Sequence, residues 1–328
     1  MNLINSSDLK FDDIANGIQN DLHSWRKDLN QFDLNKYSLN LKQANFASGV
    51  LLFFYDWSVI ILTFFVCLNK PFLLPIGLIF AGSKQRGLSN LIHDASHWNL
   101  LRNKKWNDLA TDLLAGFAMI SPIQSYRRTH ILHHRYLGHP YLDPDLKMHQ
   151  RYGYDDNSPP YHEWYKNIQY LIFNLSSLKD SFVGSWFEIS FTQKVKCLLW
   201  WIGFMTLFSL ISTQKALLFF LFWNLSRSTG YHLVRTIAEF LDHSGLPTGS
   251  IAKNCRFISA DEFVFRNIFH PHNDRFHALH HFEPKIPCYN LEKAHSCFKD
   301  KITSYASVKK NEGYFFGAKS ALKDLEGT

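Results

Sequence analysis

The chain has 328 residues, of which 46% are hydrophobic and 16% aromatic, and its formal net charge at pH 7 is +7. Its phenylalanines crowd into a few apolar runs, which favours a membrane protein over a soluble globule. A mean hydropathy of −0.17 indicates that much of the chain still faces water. We interpret the positive charge as the Lys and Arg excess of cytoplasmic loops and exclude nucleic acid as a partner.

The five cysteines include no CxxC pair, so the sequence predicts neither a disulfide framework nor a zinc ribbon. A reducing, cytosol-facing protein fits this cysteine usage best. Residues 1–45 form a polar segment of mixed charge with weak helical periodicity between Ile14 and Leu29. We expect this segment to be solvated or to lie on a surface. It lacks a secretory signal, so membrane targeting would come from internal spans.

Two strongly apolar regions predict helical hairpins. Each consists of an apolar run, a polar turn and a second apolar run, at residues 49–68, 69–71 and 72–81 and at residues 197–212, 213–215 and 216–225. A span needs about 20 residues, so these helices must continue into more polar sequence. Asp56 interrupts the first run, and we expect it near a membrane interface because a charge at mid-bilayer is costly. A soluble protein with buried apolar helices is the alternative.

Two tight hairpins leave both termini and the middle segment on one side of the membrane. That side carries nearly all the Lys and Arg, so the positive-inside rule makes it cytosolic. The shorter apolar stretches, Leu109–Ile120 and Tyr170–Leu178, are too brief to span and predict interfacial or buried helices. We therefore predict an all-α, multi-pass membrane protein with about four transmembrane helices and a helical cytosolic cap.

Three histidine clusters stand out among the 17 histidines, and all lie on the predicted cytosolic side. The first has HxxxH spacing and the other two have HxxHH spacing: His93 and His97; His130, His133 and His134; and His277, His280 and His281. On a helix, residues at i and i+4 share a face, whereas adjacent residues diverge by about 100°. An adjacent pair can therefore serve two metals rather than one.

The type of ligand selects among metals. Neutral imidazole suits zinc, copper, nickel and iron. A structural zinc site closes at four ligands, usually with cysteine, whereas the three clusters offer eight imidazoles without any cysteine pairing. A di-iron centre is the better inference, because the oxygen chemistry of iron breaks unactivated C–H bonds. A di-zinc hydrolase would leave the membrane spans unexplained. A metal transporter would have ionisable groups within the spans, whereas these histidine clusters flank them.

The motifs HDASH, HILHH and HALHH, beginning at residues 93, 130 and 277, are similar in order and spacing to the three histidine boxes of the membrane fatty acid desaturase and hydroxylase superfamily. Residues 143–145, Phe276 and residues 283–287 also resemble features of that family. The resemblance covers residues 46–300 and leaves residues 301–328 as a C-terminal tail. It implies a four-helix membrane bundle under a cytosolic cap that holds two iron ions.

The resemblance also implies a ligand outside the boxes, and His243 occupies that place. Relatives often have Glu immediately before this histidine, where Asp242 stands in this chain. Glu239 lies four residues before His243, hence on the same helical face. Glu239, Asp242 and Asn273 are possible ligands, or residues that orient a ligand or a bound water.

The function that the resemblance implies is oxygen-dependent desaturation of a fatty acyl chain, with two Fe²⁺ ions and dioxygen as co-substrate. The sequence contains no HPGG signature and no cysteine set for an iron–sulfur domain, so electrons would come from a separate ferredoxin, rubredoxin or cytochrome b5 type of donor. A hydroxylase, ketolase or alkene-forming decarboxylase acting on a fatty acid, sphingolipid or carotenoid is the alternative. Trp98, Phe117 and Trp223 are candidates for lining an apolar tunnel, or are ordinary core or lipid-facing residues.

Overall fold

The computed structural model describes residues 6–153, 163–259 and 262–325, and this part of the chain is mostly helical, as predicted. The α-helices are, in chain order, α1 (Ser6–Gln31), α2 (Asn35–Leu41), α3 (Phe46–Asn69), α4 (Leu74–Ala95), α5 (Lys104–Thr111), α6 (Ile123–Tyr136), α7 (Pro144–Arg151), α8 (Trp164–Ile172), α9 (Leu175–Val183), α10 (Phe191–Ser209), α11 (Thr213–Ser226), α12 (His232–His243), α13 (Ile251–Asn254), α14 (Phe263–Phe269), α15 (His277–Phe282), α16 (Cys288–Phe298) and α17 (Thr303–Ala306). Two short strands, β1 (Arg256–Ile258) and β2 (Lys309–Asn311), pair in parallel, with Arg256 opposite Lys309.

Helices α3 and α4 form the first predicted hairpin. The side chain of Asn45 accepts a hydrogen bond from the backbone N–H of Ser48 and so caps the start of α3. A single 3₁₀ turn, Pro71–Leu73, joins the two helices, with proline at a position that needs no N–H donor. Helix α4 continues well past the apolar run and ends at Ala95. It thus carries His93 into the cap, by which we mean the described helices and strands outside the two hairpins.

Helices α10 and α11 form the second hairpin, but its turn comes three residues earlier than predicted. Helix α11 already begins at Thr213, because the Ser212 side chain accepts a hydrogen bond from the backbone N–H of Lys215. The residues predicted as a turn are thus the capped first turn of a helix. After α11 the chain continues through a π-helical segment, Arg227–Tyr231, directly into α12.

By length and composition, one helix in the described part of the chain qualifies as a candidate membrane span. This helix is α3, with a mean hydropathy of 2.2 over its most apolar window. Helix α4 contains Lys84, Gln85 and Arg86 in succession, and α11 has only 14 residues. The coarse prediction of an all-helical fold is therefore confirmed, whereas the predicted four-span bundle stays a prediction.

Helix α4 crosses the π-helical segment with backbone against backbone. A Cβ atom added at Gly230 would lie 2.0 Å from the carbonyl oxygen of Leu78, and one added at Gly82 would lie 2.1 Å from the backbone nitrogen of Tyr231. Only glycine at both positions permits this approach. The crossing brings the C-terminal ends of α4 and α12 together, and both ends carry histidines.

Asp56 is fully buried in α3, where two basic side chains lie close to it. It lies 2.7 Å from Nε2 of His272, in the loop before α15, and 3.9 Å from Nζ of Lys84. These partners offset the cost of burying a carboxylate. They also fix α3 to the cap at this level of the helix.

The N-terminal segment packs more deeply than the sequence indicates. Trp25 of α1 is 2% exposed and stacks on Phe282 at the end of α15, with ring centroids 5.2 Å apart. Ile14, Ile18 and Leu29 are buried on the same side of α1. Of the two predicted arrangements, solvated or surface-lying, α1 has the second, because one apolar stripe is enough to pack a mostly polar helix against the cap.

The predicted C-terminal tail also belongs to the packed cap. Tyr305 and Tyr314 are fully buried, and β2 pairs with β1 next to α15. A 3₁₀ segment, Ala321–Leu325, closes the described chain. Both ends of the chain therefore support the elements that carry the histidines.

Candidate metal centre

Four helices bring the predicted histidines together inside the cap. Helix α4 and the turn after it supply His93 and His97, α6 supplies the second cluster, α12 ends on His243, and α15 supplies the third cluster. The crossing of α4 with the π-helical segment and the short loops of the cap bring these helix ends into contact. The structure thus gathers in one place all nine histidines that were predicted as ligands.

The nitrogen atoms of eight of these histidines form two groups. Within each group the potential ligand atoms all lie within 4.8 Å of one another: His93, His130, His134 and His280 in the first, and His133, His243, His277 and His281 in the second. The ninth, His97, joins the first group, because its Nε2 atom lies 2.9 Å from Nε2 of His130.

The adjacent histidine pairs divide between the two groups. His134 belongs to the first group and His133 to the second, and His280 and His281 divide in the same way. This division follows from the angle of about 100° between neighbouring residues on a helix. Each HxxHH cluster therefore bridges two neighbouring sites.

The donor set fits metal ions. Nε2 of His134 lies 3.0 Å from Nε2 of His130 and 3.1 Å from Nε2 of His280. Nδ1 of His133 lies 2.8 Å from an Asp143 oxygen, and Nδ1 of His243 lies 2.8 Å from the carbonyl oxygen of Asn254. A proton held on Nδ1 by such an acceptor leaves the Nε2 lone pair free for a metal. Converging lone pairs repel one another unless a cation lies between them.

The electrostatic environment keeps most of these imidazoles neutral. Burial, followed by repulsion from His93, lowers the pKa of His130 well below its ordinary value. Burial, followed by repulsion from His134, lowers the pKa of His281 in the same way. Neutral imidazole is the form that binds metal. His133 and His277 differ. Burial lowers the pKa of His133, but Asp143 and Asp145 outweigh it and raise this pKa to about 9. In the same way Asp242 and Asp274 outweigh the burial of His277 and raise its pKa.

Asp143 is a site residue that sequence reasoning noted only as a family feature. It is 2% exposed and caps α7, and one of its oxygens accepts a hydrogen bond from the backbone N–H of Gly138. Its other oxygen faces His133. The loop between α6 and α7 thus fixes this carboxylate, which in turn fixes the orientation of one histidine ring. The position of Asp143 ten residues after a box histidine was the only signal in the sequence.

The possible ligands outside the histidines each have other partners. Glu239 accepts hydrogen bonds from Arg86, at 3.3 Å, and from Arg235, at 3.1 Å. Asp242 lies 3.2 Å from Nε2 of His270, and the Asn273 side chain donates to the carbonyl oxygen of Cys288. The four-histidine groups include neither carboxylate.

A cavity of about 260 Å³ opens beside both groups. Histidines of the first group, His93 and His130, and of the second, His133, His243 and His277, line it. Four arginines and six carboxylates also line it: Arg86, Arg151, Arg227, Arg235, Asp145, Asp180, Glu188, Glu239, Asp242 and Asp274. This composition differs from the mostly apolar lining of common ligand pockets.

The residues suggested for an apolar tunnel lie elsewhere. Trp223 stacks on Trp57, with centroids 5.0 Å apart, and Phe117 packs in a small cluster with Ile189 and Cys197. The ring of Trp98 lies under the guanidinium of Arg127, 4.0 Å away. All three are packing residues, and none lines the cavity beside the histidines.

Two comparisons with known proteins agree with this geometry. A sequence model of the family described as "Fatty acid desaturase" matches residues 69–308 and so spans all three histidine clusters. Over 314 residues, the chain is 29% identical to dihydrorhizobitoxine desaturase of Bradyrhizobium elkanii, and the match covers 90% of this chain and 88% of that protein. The chain belongs to the fatty acid desaturase family.

Proposed function

We propose that this protein catalyses oxygen-dependent desaturation at a di-iron centre held by the nine histidines, with electrons from a separate carrier protein. The observation that carries the proposal is the pair of four-histidine groups, which share helices α6 and α15 and open onto one cavity. A family of desaturases supplies the reaction class, and the abundance of imidazole supports iron over a closed zinc site.

When bound, two irons supply the activation of dioxygen that the removal of hydrogen from saturated carbon requires. Two C–H bonds break and a carbon–carbon π bond forms, while two electrons from the carrier and two protons complete the reduction of dioxygen to two water molecules. The chain holds and orients the imidazoles through Asp143 and the Asn254 carbonyl. The cavity would hold the substrate carbon atoms beside the two sites.

The family makes a fatty acyl chain the first candidate substrate. The relative from Bradyrhizobium elkanii is named for a different one, dihydrorhizobitoxine. Hydroxylation, ketone formation and decarboxylation on the same scaffold are the competing reactions, since they require the same metal centre. We further propose a multi-pass arrangement with the cap in the cytosol, which the apolar helix α3 supports.

Purification from an iron-supplied host, followed by metal analysis and incubation with dioxygen and a reducing system, tests this proposal. We expect about two irons per chain, since the histidines form two groups, and a product lighter than its substrate by two hydrogen atoms. A product heavier by one oxygen atom would instead identify a hydroxylase. Protein that binds zinc and consumes no oxygen would reject the oxidase proposal altogether.

A further inference from the structure

Arg227 differs from the other arginines of the cavity. It lies in the π-helical segment and is 2% exposed. Its Nε atom donates to the carbonyl oxygen of Ser181 at 2.9 Å, and its Nη2 atom donates to the carbonyl oxygen of Met119 at 2.6 Å. In the described part of the chain, no carboxylate forms an ion pair with it.

The other three arginines have acidic partners. Arg86 lies 3.2 Å from an oxygen of Asp274, Arg235 lies 3.0 Å from an oxygen of Glu239, and Arg151 lies 3.6 Å from an oxygen of Asp180. A buried cation without a counter-charge is unfavourable, because desolvation is not repaid. Arg227 is therefore the cavity arginine with the strongest electrostatic need for an anion.

The free donors of Arg227 have the right chemistry for a carboxylate. A guanidinium carries five N–H groups, and two of those on Arg227 are bonded to backbone carbonyl oxygens. Its Nη1 atom has only the thioether of Met119, 3.6 Å away and a weak acceptor. Nη1 and Nη2 together match the two oxygens of a carboxylate.

The backbone leaves room around this guanidinium. Gly184 has a positive φ of 55°, and an added Cβ there would lie 3.0 Å from Nη2 of Arg227 and 2.8 Å from the carbonyl oxygen of Met119. A larger residue would crowd the arginine and strain the backbone. Gly184 and Arg227 both line the cavity, so this end of it is a formed polar recess.

The remaining walls disfavour a hydrocarbon chain. A methylene group gains roughly 0.8 kcal/mol only when it moves from water into apolar surroundings. Here it would instead lie against charged side chains such as Arg86, Glu239 and Asp145, which are better solvated by water or by polar groups of a ligand. Among the described lining residues, the side chains that offer apolar surface are a minority: Ile92, Met119, Tyr126, Pro144, Met148 and Tyr231.

We propose that the substrate is a small hydrophilic carboxylic acid whose carboxylate binds Arg227, so that its saturated carbons lie beside the histidine groups. This inference rests on the desaturase function proposed above and replaces the fatty acyl chain, its first candidate substrate, with a water-soluble acid. Recognition through one end of the molecule would set which carbon–carbon bond reaches the metal centre.

The test offers the iron-loaded protein, with its reducing system, either the aqueous extract or the lipid extract of the host cells. We expect a carboxylic acid in the aqueous extract to lose two hydrogen atoms, and the lipid extract to remain unchanged. Arg227→Gln should lower this product on the order of 100-fold, as loss of a buried charge pair does. Arg227→Lys should recover part of it, and Arg102→Gln, at an exposed arginine, should match the wild type.

A binding measurement separates a lost contact from a lost fold. Propionate should raise the unfolding temperature of the wild type and of Arg102→Gln more than propionamide does, since ligands stabilise only the folded state they bind. This difference should vanish in Arg227→Gln that retains full iron content. A difference that persists in that variant, or desaturated lipid produced by it, would overturn the carboxylate assignment. Iron-loaded wild type that desaturates nothing in either extract would overturn the proposed function itself.

Discussion

The histidine centre and the α4 crossing lie along the same helix but depend on opposite properties of their side chains. At the centre, His93 and eight further imidazoles meet because each side chain reaches inward. At the crossing, Gly82 and Gly230 allow contact because neither has a side chain. The chemical groups and the space that brings them together are therefore specified separately, by different residue types.

The largest effect is expected from substitutions at the histidine centre. We expect His133→Ala and His280→Ala to abolish turnover, since each removes a ligand from a different group. Protein yield in the membrane fraction should stay near the wild-type level, because the alanine variants keep the helices. His23→Ala, at an exposed histidine on α1, is the matched control and should retain activity. Turnover by either site variant would reject the ligand assignment.

A smaller effect is expected at Asp143, which contacts a predicted ligand, His133. Asp143→Ala removes the carboxylate that orients His133, and such losses cost about 10- to 100-fold in metal affinity or activity. Asp143→Asn keeps an acceptor oxygen and should lie between alanine and wild type. Iron titration measures the metal affinity, and turnover at saturating iron measures the activity. Equal values for the three proteins would show that the carboxylate does not orient the ring.

At the crossing, adding one methyl group should lower the stability of the protein, whereas the histidine substitutions should leave the fold intact. Gly230→Ala places a Cβ atom 2.0 Å from a carbonyl oxygen, and overpacking of this kind costs about 1–3 kcal/mol of folding free energy. Activity should fall together with the unfolding temperature, because α4 and α12 no longer meet correctly. Denaturation of the protein in detergent, monitored through the loss of its helical signal, measures the change in stability.

The least effect is expected at a glycine that faces open space. No atom lies within 4 Å of a Cβ added at Gly203 of α10. We expect Gly203→Ala to change stability by less than about 1 kcal/mol, in the stabilising direction, because alanine favours helix. A loss as large as that of Gly230→Ala would mean that the crossing has no special role.

Local spacing was enough to predict much of the fold and of the centre. The apolar runs located both hairpins, and the HxxxH and HxxHH patterns identified all the box histidines, because helical geometry fixes which neighbours share a face. The start of α11 was misplaced because its cap residue lies among turn-forming residues. The packing of Trp25 was missed because the partner, Phe282, is far away in sequence.

Residue identity and spacing alone establish which side chains are available to bind metal and how neighbouring ones divide between two sites. The packing of the helices is what brings His134 to His280, 146 positions away, places Asp143 against His133, and buries Arg227 without an acidic partner among the described residues. The physical reason is that helical periodicity acts over a few residues, whereas such pairings depend on how whole helices pack. Packing depends on the fit of many surfaces at once, including the glycines, whose lack of a side chain allows two backbones to come into contact.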